Sequence, residues 1–228
     1  MDEAIAAGEF SPISLIDVAD GVYFAQAYSH NSLVVEFRSF LAVVEAAYTE
    51  AQSTTLARVL GKRFPDKPIR YAAVTHHHYD HTGGVRGLAA IGADIVVADA
   101  HSPEMQMVLD APHTNPPDNL ARARSAGGKV GSLEVYDQIH TIEEGDRKLE
   151  LYAVSGSPHV DPVVLAFVPG PGVLFQSDLF FPGTGTGGPA AEHLLEAVRE
   201  LDLSVRTNVG GHGGVAPFLE LERVAGGN

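Results

Sequence analysis

The sequence predicts an α/β fold in which two β-rich halves, each carrying helices on one side, pack their sheets face to face with the helices outside. Three observations lead there. Short β-branched segments divided by turn residues open the chain, a strand-helix-strand unit follows, and a second set of alternating strands is closed by amphipathic helices. With 228 residues, 45% apolar and 19% charged, the chain has material for a single core, and one domain over 1–228 is expected.

The elements follow in order. The chain ahead of residue 21 reads as a polar leader, with residues 1–10 expected to be disordered. GVYFAQA (21–27), SLVVEF (32–37) and FLAVVEA (40–46) are compact and β-branched, and form an antiparallel meander. AQSTTLARVLGKRF (51–64) has helical spacing and is stopped by PDKP. IRYAAV (69–74) has strand length, and Thr82, Gly83 and Gly84 suit a turn into a helix through VRGLAAIG. ADIVVADA (93–100) completes a β-α-β unit. Residues 102–126 read as two short helices around the break PHTNPP. KLELYAV (148–154) alternates, while PVVLAFVP (162–169) and GVLFQSD (172–178) form a hairpin across GPG. AAEHLLEAVREL (190–201) is amphipathic, TNVGGHGG (207–214) is a last strand and loop, and VAPFLELERVA closes the chain as a helix.

Composition excludes several classes. The 15 Lys and Arg against 29 Asp and Glu give a formal charge of -14, which repels nucleic-acid backbones and anionic membrane surfaces. No cysteine is present, so any metal must be held by imidazole and carboxylate. The start, MDEAIAAGEF, lacks the basic and apolar regions of a signal peptide, and no run reaches the length of a membrane span. A removed leader would leave a periplasmic or secreted address open beside a cytoplasmic one, and oligomeric state is not legible. Partners are expected to be small molecules.

The chemistry concentrates in VTHHHYDHTGG (74–84), which places four histidines and an aspartate within six positions at the end of a predicted strand. His76, His78, Asp80 and His81 form the spacing H-x-H-x-D-H. On an irregular loop, residues at i and i+2 can converge on one ion while the next two turn to a neighbouring point. Two adjacent divalent ions are the natural occupants, Zn²⁺ first, with Mn²⁺ or Fe as substitutes. Four ligands cannot close two sites, and His159, Asp178 and His212 lie at other predicted strand ends or their adjoining loops. His77 and Tyr79 alternate with the ligands and are expected to point away. His30, His101, His113, His140 and His193 lack partner spacing and are assigned to surface or loop positions, with only a suspicion that the loop carrying His30 and Asn31 reaches the cleft. GTGTGG (183–188) lacks the Lys-Ser/Thr of a phosphate loop, and EEGD (143–146) reads as a solvated turn.

The order H-x-H-x-D-H, lone His, Asp after an apolar strand, then His in a glycine-rich loop resembles the metallo-β-lactamase superfamily across nearly the whole chain. The resemblance implies a four-layer αββα sandwich of two mixed sheets flanked by helices, with metals in a cleft at one edge. It implies His76, His78 and His159 on one ion, Asp80, His81 and His212 on the other, and Asp178 between them, with Asp80 also orienting the nucleophile or relaying its proton. The implied activity is that of a metal-dependent hydrolase whose hydroxide, shared by two ions, cleaves an ester, lactone, thioester or related amide of a small molecule. Asp178 is similar to the glyoxalase II-like, lactonase-like and phosphodiesterase-like branches, whereas several β-lactamase classes carry cysteine or serine there. β-Lactam or phosphodiester cleavage, a mononuclear-iron oxidoreductase of persulfide dioxygenase type, and a non-catalytic metal-binding module are the alternatives.

Overall fold

The computed structural model describes residues 12–226, so the expectation of a disordered leader over 1–10 lies outside the described residues. The rest of the predicted leader supplies a strand, β1 (Ser14–Ala19), which pairs antiparallel with β2 (Val22–Gln26). β1 is an edge strand with a register shift between Asp17 and Ala19, so its side chains stay half exposed and the alternation that marks a buried strand is missing.

β2, β3 (Ser32–Glu36) and β4 (Leu41–Val44) form the predicted meander. Helix α1 (Glu50–Arg63) follows; the Thr49 side chain caps it by accepting from the Gln52 N–H. The next strand, β5 (Ile69–Ala73), pairs parallel with β4. Beyond it come one helical turn, α2 (Tyr79–Thr82), then α3 (Val85–Ala90) and β6 (Asp94–Ala98), parallel to β5. The two short helices are α4 (Ser102–Asp110) and α5 (Asn119–Ser125). Arg86 ties them to α3: its guanidinium forms a salt bridge with Asp118 and donates to the carbonyls of Val108 and Leu109 at 2.8 Å. Parallel β7 (Leu133–Tyr136) completes a seven-stranded sheet in the order β1 to β7.

The second sheet has six strands. β8 (Ile139–Glu144), β9 (Arg147–Val154), β10 (Val163–Val168) and β11 (Val173–Gln176) run antiparallel. After α6 (Pro189–Glu200), β12 (Thr207–Gly210) joins β11 in parallel, and β13 (Val215–Pro217) flanks it before the last helix, α7 (Phe218–Ala225). The predicted closing helix therefore begins only at Phe218, since Val215–Pro217 are taken up by β13.

Period-two alternation makes the layers. Phe24, Leu33, Val35, Val44 and Val96 of the first sheet face Leu149, Leu151, Val164 and Phe175 of the second, forming the central core. The opposite faces pack Tyr23, Val34, Val43, Ile95 and Val97 under the helices that carry Leu56, Leu60, Leu88 and Met105. Leu165, Phe167 and Leu174 pack under Leu194, Leu195, Val198 and Leu221. This is the four-layer αββα sandwich. β4 and β11 are buried on both faces, as is the C-terminal end of β5, so their polar C-terminal residues emerge together at one end. Among the described residues no helix is long and apolar enough to cross a membrane.

Gly84 closes the turn onto α1. A Cβ there would fall 1.8 Å from Ser53 Oγ and 2.8 Å from the Ala46 carbonyl, whereas one at Gly61, within α1, would meet nothing within 4 Å. Gly84→Ala is expected to destabilise the fold by about 1–3 kcal/mol, and Gly61→Ala to stabilise it by about 0.5–1 kcal/mol. Urea unfolding of the two variants beside the parent chain checks both signs.

Candidate metal centre

The chain leaves β5 through Val74 and Thr75, and the Val164 N–H donates to the Thr75 carbonyl at 2.8 Å, which joins the two sheets where the histidine cluster begins. His76 is fully buried, His78 precedes the helical turn α2, and Asp80 and His81 lie on it. His159 comes from the exposed loop between β9 and β10. Asp178 follows β11 with φ of 66°, and His212 follows β12.

These seven predicted residues meet. The donor atoms of His76, His78 and His159 lie within 4.8 Å of one another, as do those of His81, Asp178 and His212. Asp178 stands between the groups. Its Oδ2 is 3.7 Å from His76 Nε2, 3.7 Å from His159 Nε2 and 2.8 Å from His81 Nε2, and its Oδ1 is 3.3 Å from His212 Nε2. Asp80 Oδ2 is 3.4 Å from His81 Nε2 and 4.0 Å from His212 Nε2.

The turn that aims Asp178 is stapled by Gln176, whose Oε1 accepts from the N–H groups of Leu179 and Phe180 at 3.2 and 3.1 Å and whose Nε2 donates to the Phe180 carbonyl at 2.6 Å. Asn31, 2% exposed, holds the His212 loop by donating to the carbonyls of Gly210, Gly211 and Gly213 at 3.1–3.3 Å.

A residue outside the predicted set organises the imidazoles. Glu45 is fully buried at the end of β4 with φ of 73°. Its Oε2 accepts from His81 Nδ1 at 2.8 Å, and its Oε1 accepts a short hydrogen bond from the Thr75 hydroxyl. With its proton committed to Glu45, the Thr75 oxygen accepts from His76 Nδ1 at 3.0 Å. His212 Nδ1 donates to the Ser29 carbonyl at 3.1 Å. In all three rings Nδ1 is therefore the donor, and Nε2 is turned to the centre.

The site fits divalent ions. His76 Nε2 is buried without a hydrogen-bond partner, a costly state that a cation would relieve, while His81 Nε2 and Asp178 Oδ2, out of line for a hydrogen bond, are paired by charge at 2.8 Å. Electrostatics agree. Burial would lower the His81 imidazole, yet the Glu45 and Asp178 carboxylates overcome it and raise it to about 10. Burial and the charge of His81 push His76 down to about 2. Burial raises Asp178, but contact with His81 and the other imidazoles outweighs it and brings the carboxyl to about 2.

The sequence profile of the metallo-β-lactamase superfamily matches residues 25–212. The chain belongs to this superfamily. Its fold superposes on the metallo-β-lactamase of Hirschia baltica with a TM-score of 0.68 at 19% identity, covering 94% of this chain and 96% of that one. The FIM-1 metallo-β-lactamase of Pseudomonas aeruginosa, in its mono-zinc form, gives 0.68 at 20% identity over 96% and 95% of the two chains. The enzyme of Pontibacter korlensis gives 0.70 at 14% identity over 94% and 97%. Such identities show a common fold. An alkyl/aryl-sulfatase of Saccharomyces cerevisiae is 27% identical over 95 residues, and a linear primary-alkylsulfatase of Pseudomonas sp is 31% identical over 75 residues. The matched segments span 41% and 32% of this chain but only 14% and 11% of those longer proteins.

The other histidines of this metallo-β-lactamase homologue divide. His77 turns away as expected, its Nδ1 3.0 Å from His101 Nδ1, and Tyr79 is exposed. His101 corrects its surface assignment: it is 1% exposed, and its Nε2 bonds the Pro162 carbonyl at 2.8 Å across the two halves. The apolar packing of β6 and α4 draws it inward, and burial holds its imidazole below the ordinary value. His30 reaches the cleft, with its Nε2 3.2 Å from Asp80 Oδ2. EEGD forms the β8–β9 turn, but Glu144 is engaged there by the Ser39 N–H and hydroxyl at 2.9 and 2.6 Å.

Two outcomes are expected. Glu45→Gln loses the charge that supports His81, and ion affinity measured by chelator competition should fall about 10–100-fold. In the ion-free chain, the raised His81 contributes stability that is full below its ordinary 6.5 and lost as pH climbs to about 10. The depressed His76 erodes stability as pH drops below 6.5, because the unfolded chain takes up a proton that the fold refuses. Urea midpoints of ion-free protein should thus peak near the ordinary histidine value and decline on both sides; a flat profile up to pH 9 would contradict a charged His81.

Proposed function

We propose that the chain is a dinuclear metallo-hydrolase that cleaves an ester, lactone or thioester of a small molecule with an apolar or aromatic part. His76, His78 and His159 would hold one divalent ion, Asp80, His81 and His212 would hold the other, and Asp178 would serve both. The observation that carries this reading is the central position of Asp178, whose carboxylate lies within 3.7 Å of imidazoles from both groups. When bound, two such ions acidify water and polarise the scissile carbonyl.

The remaining work falls to the chain. Asp80 is the most open of the carboxylates, its side chain 42% exposed, and it faces the cleft while its Oδ2 stays against His81 and His30. It orients the attacking water and takes up its proton. The water oxygen bonds to the acyl carbon, the bond to the leaving oxygen or sulfur breaks, and the proton passes to that leaving atom. Glu45, Thr75 and Ser29 keep the imidazoles aimed throughout. At the rim, Tyr28 and Tyr79 expose 90% and 68% of their surface, and Phe181 packs 5.7 Å from the His212 ring. Exposed aromatic rings beside a polar centre support a substrate whose non-reacting end is apolar.

Sulfate-ester cleavage is the second reading, supported by the partial matches to two alkylsulfatases. A panel of lactones, thioesters, carboxylic esters, alkyl sulfates, phosphodiesters and β-lactams, assayed with zinc, manganese and iron forms, separates them. Hydrolysis of the first three classes, abolished by chelator and restored by metal, is expected. Oxygen consumption by an iron form, or metal binding with no turnover in any class, would point to an oxidoreductase or a binding module instead. His78→Ala should lower bound metal and turnover together, the latter by at least about 100-fold, and Asp178→Ala should abolish paired occupancy.

A further inference from the structure

We propose that His30 is an additional ligand of the second ion, giving that position three imidazoles where the H-x-H-x-D-H pattern and its distant partners supply two. The inference rests on the ligand assignment above and adds a residue to it.

Three observations carry it. The first is placement. His30 lies on the loop between β2 and β3, which is held on both sides: Asn31 Oδ1 accepts from the Ala27 N–H at 3.1 Å, the Asn31 N–H donates to the Gly211 carbonyl at 2.8 Å, and Gln52 Nε2 donates to the His30 carbonyl at 2.7 Å. The side chain is only 12% exposed, and its ring stacks on Tyr48 with centroids 4.8 Å apart. It is not a solvated surface histidine.

The second is the donor atom. His30, Asp80 and His212 each offer a donor atom within 4.8 Å of those of the other two. Atoms bound to one ion at about 2.1 Å stand about 3.0–3.4 Å apart, the lower figure for octahedral and the upper for tetrahedral arrangements. Asp80 Oδ2 lies 3.2 Å from His30 Nε2 and 3.4 Å from His81 Nε2, both within that span, and 4.0 Å from His212 Nε2, beyond it. The His30 ring is edge-on to His212 at 4.4 Å and tilted to His81 at 5.7 Å, so three imidazoles surround one carboxylate oxygen.

The third is the far side of the ring. His30 Nδ1 is 2.5 Å from the Ser29 hydroxyl, which can donate or accept. In the ion-free chain the hydroxyl can donate to Nδ1 while Nε2–H bonds Asp80. With an ion on the Asp80 side the ring would take the other neutral tautomer: the Nε2 proton would pass to solvent, Nδ1 would gain one from solvent, and the rotated hydroxyl would accept from Nδ1–H, leaving the Nε2 lone pair for the ion. Ser29 thus serves both the His30 ring, through its hydroxyl, and the His212 ring, through its carbonyl.

The experiment uses the full chain loaded stepwise with Co²⁺, with elemental analysis, chelator competition and proton NMR as readouts. A histidine coordinated to Co²⁺ gives a hyperfine-shifted, solvent-exchangeable ring N–H signal, so the fully loaded chain should show one for each of His76, His78, His81, His159, His212 and His30. His30→Ala should lose one of these signals, retain the first equivalent of metal, and bind the second at least about 10-fold more weakly. His30→Gln keeps a side-chain hydrogen bond to Asp80 without an imidazole, and the same losses are expected there. The proposal is overturned if His30→Ala keeps every shifted signal, or if His30→Gln restores full affinity for the second ion, since His30 would then only position Asp80. An unaltered chain that binds no second ion would overturn the dinuclear assignment itself, an outcome distinct from failure at His30. Ion-free thermal melts of each variant identify any loss due to misfolding, and for a variant that melts early the unaltered chain's six-signal count decides: five signals overturn the proposal.

Discussion

The buried carboxylate of Glu45 is the constraint on which the centre depends. A charge with no solvent exposure is tolerable only if its oxygens are engaged. One is used by His81 and the other by Thr75, which passes the constraint to His76. A single side chain therefore selects the tautomer of two imidazoles, one from each proposed ion position. Its backbone is held as tightly, because the Glu45 N–H donates to the Ala73 carbonyl at 2.8 Å and the Ser32 hydroxyl donates to its carbonyl at 2.8 Å. The left-handed φ at Glu45 turns the carboxylate out of the strand direction and under the histidine cluster.

The sandwich is what makes convergence possible. Strands buried on both faces cannot carry chemistry along their length, so polar residues concentrate where β4, β5, β11 and β12 end. Those ends share one edge because the apolar alternation of the two sheets fixes how they face each other. Glycine lets the last loop come close: a Cβ at Gly211 would fall 1.7 Å from Ser177 Oγ and 3.0 Å from Glu45 Oε2. The His212 loop is thus pressed against the same buried carboxylate that orients His76 and His81.

Much of this was legible in the sequence, for physical reasons that also explain the gaps. The strands found were those with strong apolar pattern, such as VVLAFV in β10, every residue of which is buried. The strands missed, β1, β7, β8 and β13, are edges with half-exposed side chains, where solvent relaxes the pattern. The ligand candidates were legible because H-x-H-x-D-H is dense and its partners sit at strand ends. Glu45 was missed although FLAVVEA shows its signal, a lone charge closing an apolar run; a residue that works through hydrogen bonds to other ligands has no spacing of its own. For His30 the sequence showed no more than a loop able to reach the cleft, and for His101 no sign of burial, since chain closure decides that one joins the cleft and the other bridges the halves.

Burial is unequal across the centre, and that inequality divides the labour. His76 and His81 are closed off, and Asp178 is nearly so, while His78 and His212 are partly open and His159 lies on an exposed loop. The closed residues form a spine that crosses from one group of donors to the other, so the spacing between the two groups is set by the part of the site that cannot relax. The open residues face the side from which a substrate must arrive. A rigid spine with an accessible rim satisfies two demands that conflict when placed on the same residues: donors must be held in place before the ions bind, and room must remain for a reacting molecule. Because the spine is anchored by Glu45 within the core, changes in the rim loops can alter what the cleft accepts without disturbing the donor geometry beneath it.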